Sequence, residues 1–119
     1  MENIAFVIED DEDLSGIFTE ALKSAGFQVE TITDGAIAQQ RLKEVTPELV
    51  LLDLHIPNVD GPALLAQIRA DKRLKGTQVI VATADARLGD AQDSLADLVL
   101  IKPISFSQLR DLTSRYKKK

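Results

Sequence analysis

The sequence predicts an α/β fold in which helices cover both faces of one parallel sheet, and two observations carry that expectation. Short apolar runs at Ile4–Ile8, Leu49–Leu52 and residues 79–82 are continuous and too brief for a typical helix, which marks strands buried on both faces. Between them lie longer stretches whose apolar residues recur at helical spacing, and strands alternating with helices build a parallel sheet. The length agrees: 119 residues can bury one continuous core but not two, so a single domain over residues 1–119 is expected.

The elements follow in order along the chain. After the strand at Ile4–Ile8, residues Leu14, Ile17, Phe18, Ala21, Leu22 and Ala25 fall at helical spacing, and Gly26 stands where a left-handed cap is wanted. Asp11, Glu12 and Asp13 suit the N-cap and first turn of that helix, where the dipole favours acids. Residues 27–32 alternate apolar and polar, as an edge strand does. A second helix runs from Asp34, as N-cap, through Ile37, Ala38 and Leu42, and must stop before Pro47. A third begins near Gly61 and Pro62, since proline suits the first turn, and buries Leu64, Leu65 and Ile68. Residues 86–96 make a weak helix, because Gly89 interrupts them and few large apolar residues give them a face. Leu98–Ile101 supplies a fifth strand. Ser105 and Gln108, in capping-box spacing, then open a last helix with Leu109, Leu112 and Tyr116 on one side.

Composition narrows the functional classes. With 45% hydrophobic and 28% charged residues the chain has ordinary globular proportions. No apolar run approaches the roughly 20 residues of a membrane-spanning helix, and Met1, Glu2 and Asn3 do not make a signal-like start. The lack of cysteine removes disulfides, thiolate metal sites and cysteine nucleophiles; it fits a reducing compartment, and a cytoplasmic protein is expected. A net charge of -5 argues against a nucleic-acid binder, which needs clustered cations. The basic tail at Lys117, Lys118 and Lys119 reads as a solvated chain end.

In an open parallel sheet, ligands sit beyond the carboxyl ends of the strands, where the strand order reverses. Glu9 and Asp10 follow the first strand, Asp53 the third, Thr83 the fourth, and Lys102 with Pro103 the fifth. Convergence of Glu9, Asp10 and Asp53 is costly unless a cation neutralises the carboxylates or one takes up a proton. Mg²⁺ suits such a set, because it prefers hard oxygen ligands and is commonly held by one or two carboxylates together with a phosphate oxygen. A carboxylate can also act as nucleophile and form an aspartyl phosphate, with a Lys ammonium and a Thr hydroxyl holding the phosphoryl oxygens. Asp53, Lys102 and Thr83 are the right types for those roles. Taken singly, Lys102 reads equally as a surface lysine and Thr83 as a strand-end cap. The side chain of His55 is expected to face solvent, while its backbone carbonyl, two residues beyond Asp53, could point at the same cation.

Four pieces of sequence, in this order, resemble the receiver domain of bacterial two-component response regulators. They are Val7-Ile8-Glu9-Asp10, Leu51-Leu52-Asp53-Leu54-His55-Ile56-Pro57 with Asp60-Gly61, the pair Thr83-Ala84, and Lys102-Pro103. The resemblance covers essentially the whole chain and implies a flavodoxin-like fold, a five-stranded parallel sheet in the order 2-1-3-4-5. It implies that Asp53 is the phosphoacceptor, loaded from a phosphohistidine on a sensor histidine kinase or phosphotransfer protein. Asp10 and Asp53 would bind Mg²⁺ directly, Glu9 through a metal-bound water, and the His55 carbonyl would complete the protein ligands. Such a domain catalyses its own phosphorylation and dephosphorylation without being a conventional turnover enzyme, and it controls a downstream protein target. His55 and Asp85 stand at positions that border the attacking water and are expected to set the lifetime of the signal.

Two departures from the family pattern concern output. The aromatic residue usual three positions before the conserved lysine is Val99 here, and the stretch from Thr83 to Lys102 is shorter than usual and lacks the customary Gly-Ala turn. A domain that phosphorylates normally but switches without an aromatic rotamer is expected, with Thr83 and the loop after it carrying the change. An alternative is a receiver-like interaction module that takes no phosphate, against which the full set Glu9, Asp10, Asp53, Thr83 and Lys102 argues. An aspartate-nucleophile phosphatase would carry a second aspartate where His55 stands, and a flavin or nucleotide site would need a phosphate loop that the acidic run from Glu9 replaces.

Overall fold

A computed structural model describes residues 3–92 and 94–117. Met1, Glu2, Lys118 and Lys119, on which the readings of the chain start and basic tail partly rest, lie outside the described residues, as does residue 93. The elements run β1 (Ile4–Ile8), α1 (Glu12–Ser24), β2 (Gln28–Ile32), α2 (Gly35–Glu44), β3 (Leu49–Leu52), α3 (Gly61–Ala70), β4 (Gln78–Thr83), α4 (Ala86–Ala91), β5 (Leu98–Ile101) and α5 (Phe106–Thr113). All strand pairings are parallel and the sheet order is β2-β1-β3-β4-β5, as the sequence implied.

Strand alternation divides the core into two layers. Phe6, Ile8, Val50, Leu52, Val79 and Val81 pack under α2 and α3, with Leu64, Leu65 and Ile68 opposite them. Ala5, Val7, Leu49, Leu51, Ile80 and Ala82 face the other way, onto Phe18, Ala21 and Leu22 of α1 and Leu109 of α5. Successive side chains of a strand point to opposite faces, so a continuous apolar run is what a doubly covered strand requires. The order reverses between β1 and β3. There the backbone N–H of Asp53 donates to Ile8 O at 2.9 Å, which sets the first residue after β3 beside the end of β1.

N-caps start α1, α2 and α5 where the sequence expects them, and Asp60 adds one for α3. Asp11, Asp34, Asp60 and Ser105 cap the N-termini of α1, α2, α3 and α5 with side-chain oxygens. At the end of α1, Gly26 takes a positive φ of 105° while its N–H and that of Phe27 reach back to Lys23 O and Leu22 O, each at 3.0 Å. This is the Schellman arrangement, with buried Phe27 and Leu22 in the same core layer.

The structure differs from the sequence reading at three places. Ile17 and Ile37 sit on the expected apolar stripes but are 43% and 55% exposed, because the sheet needs only the narrower faces centred on Phe18 with Leu22 and on Ala38 with Leu42. The weak segment 86–96 is helical only as far as Ala91. The loop that follows is held by Arg69 of α3, which donates to Leu95 O at 2.6 Å, Thr77 O at 3.0 Å and Asp97 at 2.7 Å. Asp97 in turn accepts from Val79 N at 2.6 Å and donates its own N–H to Val79 O at 2.8 Å, so a polar clasp fixes the entry to β5. Among the described residues, no helix is long and apolar enough to cross a membrane.

Candidate functional site

Glu9, Asp10 and Asp53 meet at the carboxyl edge of the sheet, each offering a carboxylate oxygen within 4.8 Å of the others. They line a cleft of about 420 Å³ together with Asp11, Leu14, His55, Ala84 and Lys102. Glu9 and Asp53 are buried, at 2% and 6% exposure, whereas Asp10 faces solvent. The inner pair is thus reached through the cleft, with Asp10 at its rim.

Lys102 arrives from the far side, on the first residue after β5, where its N–H is fixed to Thr83 O at 2.8 Å. Its ammonium lies 2.6 Å from Glu9 Oε1 and 3.4 Å from Asp53 Oδ2. The sequence assigned this lysine to phosphoryl oxygens; in the structure its nearer partner is Glu9, and it bridges both buried acids. The second Glu9 oxygen accepts the Asp11 N–H at 3.3 Å, and Asp53 Oδ1 accepts the His55 N–H at 3.2 Å. Every buried side-chain polar atom among the described residues has a partner.

One ammonium does not balance three carboxylates. Burial pushes the Glu9 carboxyl from 4.5 up to about 7, hydrogen bonding and like charge from Asp53 add to this, and Lys102 works against it. That shift is the electrostatic signature of a site short of positive charge. Oxygen-only donors, an exposed entry at Asp10 and the deficit of cations together fit a divalent metal at this acidic pocket. The metal would stabilise the charged form of Glu9 and supply a Lewis acid for a transferring phosphoryl oxygen.

The remaining sequence candidates surround this cluster. Thr83 ends β4 fully buried, next to Ala84 in the cleft wall, and its Oγ1 accepts the Asp85 N–H at 3.1 Å. Asp85 caps α4 by accepting from Leu88 N at 3.0 Å, and its other oxygen lies 3.6 Å from His55 Nε2, so these two exposed side chains face each other across the site. Val99 does not reach the cleft. It is half-buried on β5 beside Val81 and packs near Gly89, where an added Cβ would lie 3.0 Å from Val99 Cγ1 and 3.1 Å from Thr83 Cγ2. The backbone of α4 therefore lies close against the two residues, and sequence reading, which took Gly89 as a helix interruption, missed that contact. Leu14 and Ala84 as wall residues also went unassigned, since an apolar residue carries no chemical signal of lining a polar cleft.

The family model for the response regulator receiver domain matches residues 5–114. The phosphate regulon transcriptional regulatory protein PhoB of Rhizobium meliloti is 34% identical over 106 residues, covering 87% of this chain and 47% of its own. The DNA-binding dual master transcriptional regulator RpaA of Synechocystis is 32% identical over 106 residues, covering 87% and 44%. The chain thus spans less than half the length of these two relatives. Among solved structures, the CheY-like receiver domain of Methylobacillus flagellatus aligns with a TM-score of 0.85 at 26% identity, over 98% of this chain and all of its own. The phosphorylated cyanobacterial phytochrome response regulator RcpA aligns with a TM-score of 0.81 at 28% identity, over 97% and 91%. With a family model matching residues 5–114, from β1 through α5, the chain belongs to the family of response regulator receiver domains, the phosphorylation-dependent switches of two-component systems.

Proposed function

We propose that Asp53 is the phosphoacceptor of this receiver and that Mg²⁺ is its metal, held by Asp10, Asp53 and the His55 carbonyl, with Glu9 acting through a bound water. The observation that carries the reading is the placement of Lys102 between Glu9 and Asp53, 2.6 Å and 3.4 Å away, in the wall of a cleft lined by Glu9, Asp10, Asp11 and Asp53. In the reaction an Asp53 oxygen attacks the phosphorus of a phosphohistidine on a sensor kinase or phosphotransfer protein. The P–N bond breaks, and the departing imidazole nitrogen keeps the electron pair and takes a proton. The His55 N–H orients the Asp53 carboxylate, and Lys102 transfers its attraction from the two carboxylates to the new phosphoryl oxygens.

Output follows from Thr83. Its hydroxyl now holds the Asp85 N–H, and Asp85 caps α4, so turning the hydroxyl toward a phosphoryl oxygen releases the start of α4. Because Thr83 Cγ2 and Val99 both lie under Gly89, movement of Thr83 also presses on the middle of the same helix. In this reading a valine suffices where the family has an aromatic: α4 itself is the element with two arrangements, biased by the phosphoryl group. The target is a downstream protein. The net charge of -5 disfavours direct contact of this chain with nucleic acid, and neither nucleic acid nor a membrane is a partner in this reading. A cytoplasmic location accords with the cysteine-free composition.

Incubation with Mg²⁺ and a small-molecule phosphodonor, followed by intact mass, tests the chemistry: wild type gains one phosphoryl group and Asp53→Asn gains none. A wild type that gains no mass would instead favour a receiver-like interaction module that works without phosphate. Amide NMR shifts on adding a phosphoryl mimic test the output: they are expected to spread from Thr83 into α4 and Val99, and shifts confined to the metal site would refute the switch.

A further inference from the structure

The loop between β3 and α3 carries His55, and its outer half does not stand free. Leu54 and Ile56 are buried in the core at 1% and 8% exposure, so the loop is anchored inward on either side of His55. Beyond that point it rests on the start of α2. The Gly35 N–H donates to Pro57 O at 2.9 Å, and the Asn58 side-chain amide donates to the Asp34 carboxylate that caps α2. Asn58 takes a positive φ of 73°, which turns the chain toward that contact. The approach leaves no room for a side chain: a Cβ on Gly35 would lie 1.7 Å from Val59 O, 2.6 Å from Val59 C and 2.8 Å from Val59 N. All three are backbone atoms, so a rotamer change cannot relieve the overlap.

We propose that Gly35, with Asn58, is a positioning residue for the metal site: it seats the β3–α3 loop so that the His55 carbonyl stands at the distance the cation requires. The inference rests on the reading of His55 as a metal ligand. Gly35 touches neither the cleft nor any of its acids; its influence passes through Pro57 O and Val59 to a carbonyl two residues before Pro57. Mg²⁺ demands near-ideal octahedral geometry and tolerates displaced ligands poorly, so a loop held rigidly at Leu54 and Ile56 has little freedom to compensate. The far end of the loop is equally tight, since the Gly61 N–H donates to Leu54 O at 3.1 Å and a Cβ there would lie 2.4 Å from Leu54 Cα. Displacement forced at Gly35 is therefore passed toward His55 and not absorbed at α3.

The test is the affinity for Mg²⁺ alone, measured by calorimetric or NMR titration of the folded protein. Gly35→Ala is expected to weaken Mg²⁺ by about tenfold, the lower end of what outer partners of metal ligands contribute. Leu42→Ala removes a buried side chain from the same helix, two turns beyond Gly35 and outside its contact with Val59, and is expected to lower stability while leaving Mg²⁺ affinity as in wild type. A folded Gly35→Ala with wild-type affinity overturns the proposal, and so does an equal loss in Leu42→Ala, which would mark a generic stability effect. Should Gly35→Ala not fold, Asn58→Gly keeps the positive φ and deletes only the amide; it must weaken Mg²⁺ in the same direction, and unchanged affinity overturns the proposal. Wild type that binds no Mg²⁺ refutes the metal reading along with this one, whereas normal binding by every variant removes only the positioning role.

Discussion

The substitution Glu9→Gln tests the electrostatics of the site through folding stability. The Glu9 carboxyl is raised from 4.5 to about 7, so between those values the native protein holds a proton that the unfolded chain has released. Stability therefore falls as pH rises through this window, because the native state binds more protons than the unfolded one. A shift from 4.5 to about 7, at about 1.4 kcal/mol per unit, makes the loss about 3 kcal/mol in the metal-free protein by pH 8. A glutamine amide cannot ionise. The variant is expected to match wild type near pH 4, below the unfolded value of 4.5, and to exceed it by about 3 kcal/mol at pH 8. Urea denaturation at the two pH values, without metal, measures the difference directly, and other carboxylates cancel in the comparison. Saturating Mg²⁺ at pH 8 should close most of the gap, since the cation stabilises charged Glu9 and the amide of the variant has no charge to offer. Parallel pH profiles for wild type and variant, with or without metal, would refute the assignment of Glu9 as the strained acid of the site.

Further outcomes follow from other contacts. Lys102→Met removes an ammonium that competes with the metal; one charge at about 4 Å is worth about 1 kcal/mol even in water. Mg²⁺ should then bind about fivefold tighter in calorimetric titration, while phosphoryl gain by intact mass falls; weaker metal binding would contradict the competition. Arg69→Ala opens the clasp on the loop before β5 and should cost about 2 kcal/mol, the worth of charged hydrogen bonds of this kind, with an unchanged urea midpoint as the contrary result. Substituting His55 and Asp85 together with Ala removes two side chains that face each other at 3.6 Å across the site. Loss of phosphoryl mass with time should accelerate several-fold as water gains access to Asp53, and an unchanged rate would exclude these residues from setting signal lifetime.

The sheet, its parallel direction and the ends of its strands were legible in the sequence because each depends on local pattern. Continuous runs such as Leu49–Leu52 make sense only when both faces are covered, and Asp11, Asp34 and Ser105 cap by bonds to residues two or three positions away. The acids after β1 and β3 were legible too, since polar residues directly after buried strands stand out and the strand-order reversal brings them together. Exposure of Ile17 and Ile37 was not, because helical spacing marks a stripe and the width of the covering sheet decides how much of that stripe is buried.

Local pattern along the chain is enough to say which groups stand at the carboxyl edge and in what order: Glu9, Asp10, Asp53, Thr83 and Lys102. How they pair is a matter of packing in three dimensions. Lys102 lies nearer Glu9 than Asp53, Thr83 is tied to the cap of α4, Gly89 lies close against Val99, and Gly35 closes on the loop that carries His55. These relations join residues from different strands and loops, and distances between side chains remote in sequence are set by packing. A local pattern fixes where a residue points, while the partner it meets depends on where every other element comes to rest.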